Sequence, residues 1–149
     1  MTDTHFPFLD HQGFESLDID ADVSLLKTLG MKLIRWGTHA VTGKRIALLH
    51  DDVASKIELI EVDIATGMLN HAAFAVDQLN IEHTKTLDSG CIEERAPFRL
   101  DAAQAHTSFV RTRAGTLIQL VQYDGHSLDR APWDHGETAL TLDNSTCDS

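Results

Sequence analysis

Residues 8–15, FLDHQGFE, alternate so that Leu9, His11, Gly13 and Glu15 share one face of a strand at the period of two. The spacing then changes. Val23, Leu26 and Leu29 form the apolar stripe of a short helix over 21–29, with Asp18 and Asp20 as candidate caps and Gly30 just past its end. Strands follow at 31–36 and 45–50 around a turn at 41–44, and a polar loop at 51–55 leads to a fourth strand at 56–62. The predicted order is β-α-β-β-β. After a linker at 65–67 it begins again, with a strand over 69–76 and a helix over 81–89 that Asn80 can cap and Gly90 can end. Strands at 91–95 and 106–112 flank a longer connection, 96–105; a turn at 114–115 precedes the last strand, 116–123.

The recurrence is metrical. His11 and His71 stand sixty residues apart, as do Gly30 and Gly90, and Glu58 and Gln119 stand sixty-one apart. Three landmarks held by one offset indicate a duplicated unit, and two copies suit a pseudo-symmetric domain better than a repeat array. The expected organisation is α+β: one domain over 1–124, with modules at 8–63 and 69–124, then an acidic tail at 125–149. That tail carries five acidic residues (Asp129, Asp134, Glu137, Asp143, Asp148) against one basic, Arg130, with Trp133, Leu140 and Leu142 able to dock it. Its last residues are expected to lack fixed structure.

Composition narrows the function classes. At 42% hydrophobic and 23% charged residues, the 149-residue chain is that of an ordinary globular protein. It contains no apolar run near the roughly 20 residues of a membrane span, and residues 1–10 show no secretory pattern, so a cytoplasmic location is expected. A formal net charge of −11 argues against nucleic acid as a partner. The two cysteines, Cys91 and Cys147, are expected to stay reduced and non-catalytic.

The candidate chemistry lies in four register-matched positions, His11, Glu58, His71 and Gln119. Two imidazoles, a carboxylate and an amide oxygen make an N2O2 donor set for a divalent first-row metal. A lone strand histidine is more often a surface or core residue; the shared offset sets these two apart. Glu58 lies in the apolar run IELI, where an unpaired carboxylate is costly to bury. Gln119 lies likewise in LIQL, though a buried amide is readily satisfied by backbone. Glu15, on the histidine face, is either a supporting group or base, or a solvated strand end. Arg35, Trp36, Phe98, Arg99, His106 and Arg111 form the pool for substrate contacts. His5, His39, His50, His83, His126 and His135 have no register partner and receive no role.

Over residues 8–124 this pattern resembles the vicinal-oxygen-chelate superfamily, which includes glyoxalase I, methylmalonyl-CoA epimerase, extradiol dioxygenases and bleomycin-resistance proteins. The resemblance implies two βαβββ modules closing a half-open, barrel-like mixed sheet around a cavity. It also implies convergence of the four positions on a metal (Zn, Ni, Co, Mn or Fe), and a homodimer. Glyoxalase I resembles His or Gln, Glu, His, Glu at these places, and methylmalonyl-CoA epimerase His, Gln, His, Glu. Here the order is His11, Glu58, His71, Gln119: one carboxylate is absent, and relative to the epimerase Glu and Gln have exchanged modules. The expected function is a metal-dependent lyase or isomerase that chelates vicinal oxygens of a small substrate and abstracts a proton. Glu58 is the expected base, with Glu15 or a metal-bound hydroxide as alternatives. The competing readings are a non-enzymatic binding or resistance protein and an iron-dependent dioxygenase.

Overall fold

The computed structural model describes residues 6–67 and 69–130. Eight strands and two helices follow one another in the anticipated order: β1 (Phe8–Ser16), α1 (Ile19–Thr28), β2 (Lys32–Thr38), β3 (Arg45–His50), β4 (Lys56–Glu61), β5 (His71–Ala75), α2 (Leu79–Asp88), β6 (Ile92–Leu100), β7 (Ala105–Arg111) and β8 (Leu117–Tyr123). They form one mixed sheet in the order β2-β3-β4-β1-β5-β8-β7-β6, an open half-barrel with both helices on one face. Within each half the first strand runs parallel to the last, β1 with β4 and β5 with β8, and the halves join through the antiparallel pair β1–β5.

That central pair carries the symmetry. His11 faces Ala73, Gln12 faces Ala72 and Gly13 faces His71. Ala73 and His71 are themselves the sixty-residue counterparts of Gly13 and His11, so a pseudo-twofold axis passes through the Gln12–Ala72 pair. Both histidines therefore stand on one face of the sheet, diagonal to each other. The opposite face takes the helices: Ile19 and Val23 of α1 pack on Ala47, Leu49 and Leu59, while Leu79 of α2 packs with Val76 and Leu120.

Helix α1 begins two residues before the expected 21–29, with the Asp18 carboxylate accepting from the Ala21 N–H and Asp20 inside the first turn, and Gly30 follows its end at φ +97°, where glycine is favoured. Helix α2 differs. Its cap position is Gln78, which makes no side-chain capping bond, and Asn80 lies inside the first turn. The helix starts earlier because Leu79 is drawn into the core, and the Leu79 N–H is satisfied by Gln122 Oε1 of β8 at 2.9 Å. The connection expected at 96–105 is mostly strand: β6 continues to Leu100, followed by a single 3₁₀ turn, Asp101–Ala103. As an edge strand paired only with β7 and bulged twice, β6 tolerates Pro97, which has no N–H to donate.

Among the described residues no helix is long and apolar enough to cross a membrane. Residues 125–130, the start of the expected acidic tail, pack on the body of the molecule: Ser127 Oγ donates to the Ala103 carbonyl, and Asp129 is buried. Trp133, Leu140, Leu142 and Cys147 lie outside the described residues, as do His5 and His135; Cys91 is a free, partly buried thiol.

Candidate metal centre

A β-bulge shapes the first ligand strand. Leu9 pairs with Phe74 and His11 with Ala73, leaving Asp10 as the extra residue. The bulge shifts the alternation, so Leu9, expected beside His11, is 48% exposed, while both Asp10 and His11 are buried. Asp10 Oδ2 lies 2.7 Å from His11 Nδ1, and on the second ligand strand Asn70 Oδ1 lies 2.8 Å from His71 Nδ1. Each acceptor immediately precedes its histidine, so the pair repeats the sixty-residue offset. Both favour the Nδ1–H tautomer, leaving an Nε2 lone pair pointed inward.

The two Nε2 atoms are 3.2 Å apart. Glu58 Oε2 stands 3.8 Å from His11 Nε2, and Glu58 Oε1 stands 3.6 Å from His71 Nε2. These separations fit donors sharing one ion: ligands roughly 2.1 Å from a common metal lie on the order of 3.0–3.4 Å apart. The Glu58 carboxylate makes no hydrogen bond among the described residues and is only 16% exposed, the condition a cation would relieve. Two imidazoles with inward lone pairs and an unsatisfied carboxylate suit a divalent metal, and these three residues form the one such cluster among those described.

Without an ion the same arrangement displaces the titrations. Burial pushes the Glu58 carboxyl up, against the lowering influence of His11 and Arg35. Burial and the adjoining charge of His11 drive His71 down to about 3. For His11 burial acts downward, but Asp10 and Glu58 outweigh it and raise its pKa.

Gln119 is the counterpart of Glu58. Glu58 is paired with Gly13, and Gln119 with Ala73, so the two occupy dyad-related places. Gln119 is buried, and its Nε2 donates to Thr107 Oγ1 at 2.9 Å. Gly13 is equally specific. A Cβ built there would overlap the His71 ring, so absence of a side chain gives that imidazole its seat.

Beneath the ligands lies a buried network that sequence reasoning missed. Asp10 accepts from Lys56 Nζ at 2.7 Å and from Tyr123 Oη at 2.6 Å; Lys56 also donates to the Asp129 carbonyl at 2.7 Å. Burial alone would raise the Asp10 pKa, but Lys56 and His11 bring it down to about 2. The Asp129 carboxylate takes the Arg35 guanidinium in a two-point pair. The signal available in the sequence was the repeated Asx-His dipeptide, Asp10-His11 and Asn70-His71.

The substrate pool divides by face. Phe98 lies on the ligand face, stacked at 6.2 Å on Phe109, whose ring meets His71 edge-on at 6.5 Å. Trp36 pairs with Ala47 on the helix face and sits under Arg45 instead. Arg99 is held by Asp101 and Asp124, and its strand partner His106 is exposed. Arg111 is engaged by Glu94 and the Gly115 carbonyl. Both Glu15 oxygens accept from Thr66 of the linker, which holds the carboxyl below its ordinary range and occupies it away from the histidines.

Two βαβββ modules joined in one open mixed sheet are the fold that the resemblance implied. No family model and no curated protein matches the sequence. Solved structures do match in fold. Methylmalonyl-CoA epimerase from Mycobacterium tuberculosis superposes with a TM-score of 0.67 at 22% identity, covering 83% of this chain and 93% of that one. A hypothetical protein from Bacillus halodurans C-125 gives 0.65 at 20% identity, covering 80% and 96%. Streptomyces coelicolor methylmalonyl-CoA epimerase, in complex with 2-nitronate-propionyl-CoA, gives 0.62 at 23% identity, covering 77% and 96%.

Proposed function

We propose that this chain is a metal-dependent isomerase or lyase of the vicinal-oxygen-chelate type, acting on a small substrate by proton abstraction. The observation that carries the reading is the convergence of His11 Nε2, His71 Nε2 and the unsatisfied Glu58 carboxylate within 3.8 Å. His11, Glu58 and His71 would hold the ion, and Gln119, in the place dyad-related to Glu58, would be the fourth donor. A bound divalent cation supplies Lewis acidity, stabilising the negative charge that develops on substrate oxygen as a neighbouring carbon loses its proton. Glu58 takes that proton by leaving the ion, and among the described residues no hydrogen bond holds its carboxylate back. Asp10 and Asn70 keep the imidazoles oriented, and Phe109 shields the His71 side from water. The epimerase neighbours support an isomerisation of this chemical class. We also propose a homodimer, tested by light scattering; a mass near 16.5 kDa would overturn it.

Metal analysis of protein purified without chelator is the first test. Near-stoichiometric metal is expected, lost in His11→Ala and in His71→Ala but kept in His83→Ala. Absence of metal would favour the non-enzymatic binder, and oxygen-sensitive iron would favour the oxygenase. Glu58→Gln should retain much of the metal while turnover, on a substrate found by thermal-shift screening, falls by about 10²–10⁴. Wild-type turnover in that variant would remove Glu58 from the mechanism.

A further inference from the structure

The rows of cross-strand partners that pass through the site extend to its rims. On one side the row runs Arg35, Leu48, Glu58, Gly13, His71; its symmetry mate runs Arg95, Phe109, Gln119, Ala73, His11. Each row thus ends in an arginine on the ligand face, and the two arginines are dyad-related. Their circumstances differ. Arg35 is neutralised by the buried carboxylate of Asp129. Arg95 is exposed and has no carboxylate partner among the described residues, although the chain carries a net charge of −11.

The acids nearest Arg95 in sequence are engaged elsewhere. Glu93 is bound to His83 at 2.8 Å and Glu94 to Arg111 at 3.0 Å. What Arg95 does contact is Phe98: its guanidinium carbon lies 3.4 Å from that ring's centroid. Phe98 stacks on Phe109, and Phe109 abuts His71. An aromatic wall therefore runs from the metal ligands to a cation whose stacked plane leaves its donor edge for another group.

We propose that Arg95 is the substrate's distal anchor. The substrate is then an organic acid with two ends: vicinal oxygens at the metal centre, and a carboxylate paired with Arg95. An apolar segment between them lies along Phe109 and Phe98. A guanidinium fork suits a carboxylate, and such charge-assisted contacts are worth about tenfold or more in affinity. Leu48, in place of Phe109, and the neutralised Arg35 give the other row no equivalent anchor, so the substrate enters in one direction.

This inference rests on the metal reading, and its test separates the two. Cobalt(II)-loaded protein is titrated with monohydroxamates of linear dicarboxylic acids over a ladder of chain lengths, each paired with the uncharged alkyl hydroxamate of equal length. The cobalt absorption bands report chelation. Wild type should prefer the carboxylated member by about tenfold at an optimal length. Arg95→Ala should lose that preference while keeping cobalt and alkyl-hydroxamate affinity, Arg95→Lys should keep only part of it, and Lys44→Ala should change nothing. A preference absent from wild type, or undiminished in Arg95→Ala, overturns the anchor and leaves the metal centre standing. Failure of wild type to bind cobalt or any hydroxamate overturns the metal reading, and the anchor with it.

Discussion

A single methyl group on Gly13 would enter the volume of the His71 imidazole. Gly13→Ala should therefore displace one ligand while leaving strand β1 intact, since alanine adopts extended backbone freely. Metal affinity should fall by at least tenfold with little change in unfolding temperature, as calorimetry and metal titration would show. Asp10 offers a test by pH. Its folded pKa, about 2, lies below the ordinary 3.8, so its stabilisation is present above about pH 4 and is lost as pH falls toward 2. The size is on the order of 2 kcal/mol. Wild type should exceed Asp10→Asn in urea midpoint at pH 6, with the gap narrowing across that acid window; a constant gap would sink the assignment. The dyad-related places of His11, Glu58, His71 and Gln119 in the sheet were legible because duplication wrote their spacing into the chain. Asp10 was not, because a strict period of two assigns it the other face and only the bulge returns it.

Helix α2 owes its seat to a residue the repeat left without a role. His83 Nδ1 lies 2.8 Å from Ser108 Oγ on β7, and His83 Nε2 lies 2.8 Å from Glu93 Oε1 on β6. Serine, histidine and glutamate in line resemble a hydrolytic relay, but Ser108 is fully buried and no acyl donor can reach it. The group is a clasp between helix and sheet. His83→Ala should cost about 1–3 kcal/mol in chemical denaturation, because the Ser108 hydroxyl is left without its partner, while metal content is unchanged. Loss of metal instead would place His83 in the site. Element boundaries were less legible than element order. Asn80 is a good capping residue by type, yet burial of Leu79 decided where α2 begins, and that contact is with strands far along the chain. Likewise Pro97 marks a break only if its strand is flanked on both sides, and sequence does not say that β6 is an edge.

At the scale of the molecule, the dyad through Gln12 and Ala72 places one centre at the seam of two modules, so neither half holds a complete ligand set. The two halves depart from symmetry at one ligand pair: Glu58 on one side, Gln119 on the other. Chemically, that departure confers handedness. On the proposed mechanism, a planar, deprotonated carbon held between the two modules would present one face to a carboxylate and the other to an amide, which cannot carry a proton. With Glu58 as the proposed base, the proton it removes would return to the same face, retaining configuration, and of two prochiral hydrogens only one would be labile. Proton NMR of substrate turned over in deuterium oxide should show a single site filling with deuterium. Scrambling at both would mean that a second base works from the Gln119 side. If a single site fills, Gln119→Glu should supply the missing second base and allow inversion at carbon, turning a retained near-symmetry into a difference in product configuration.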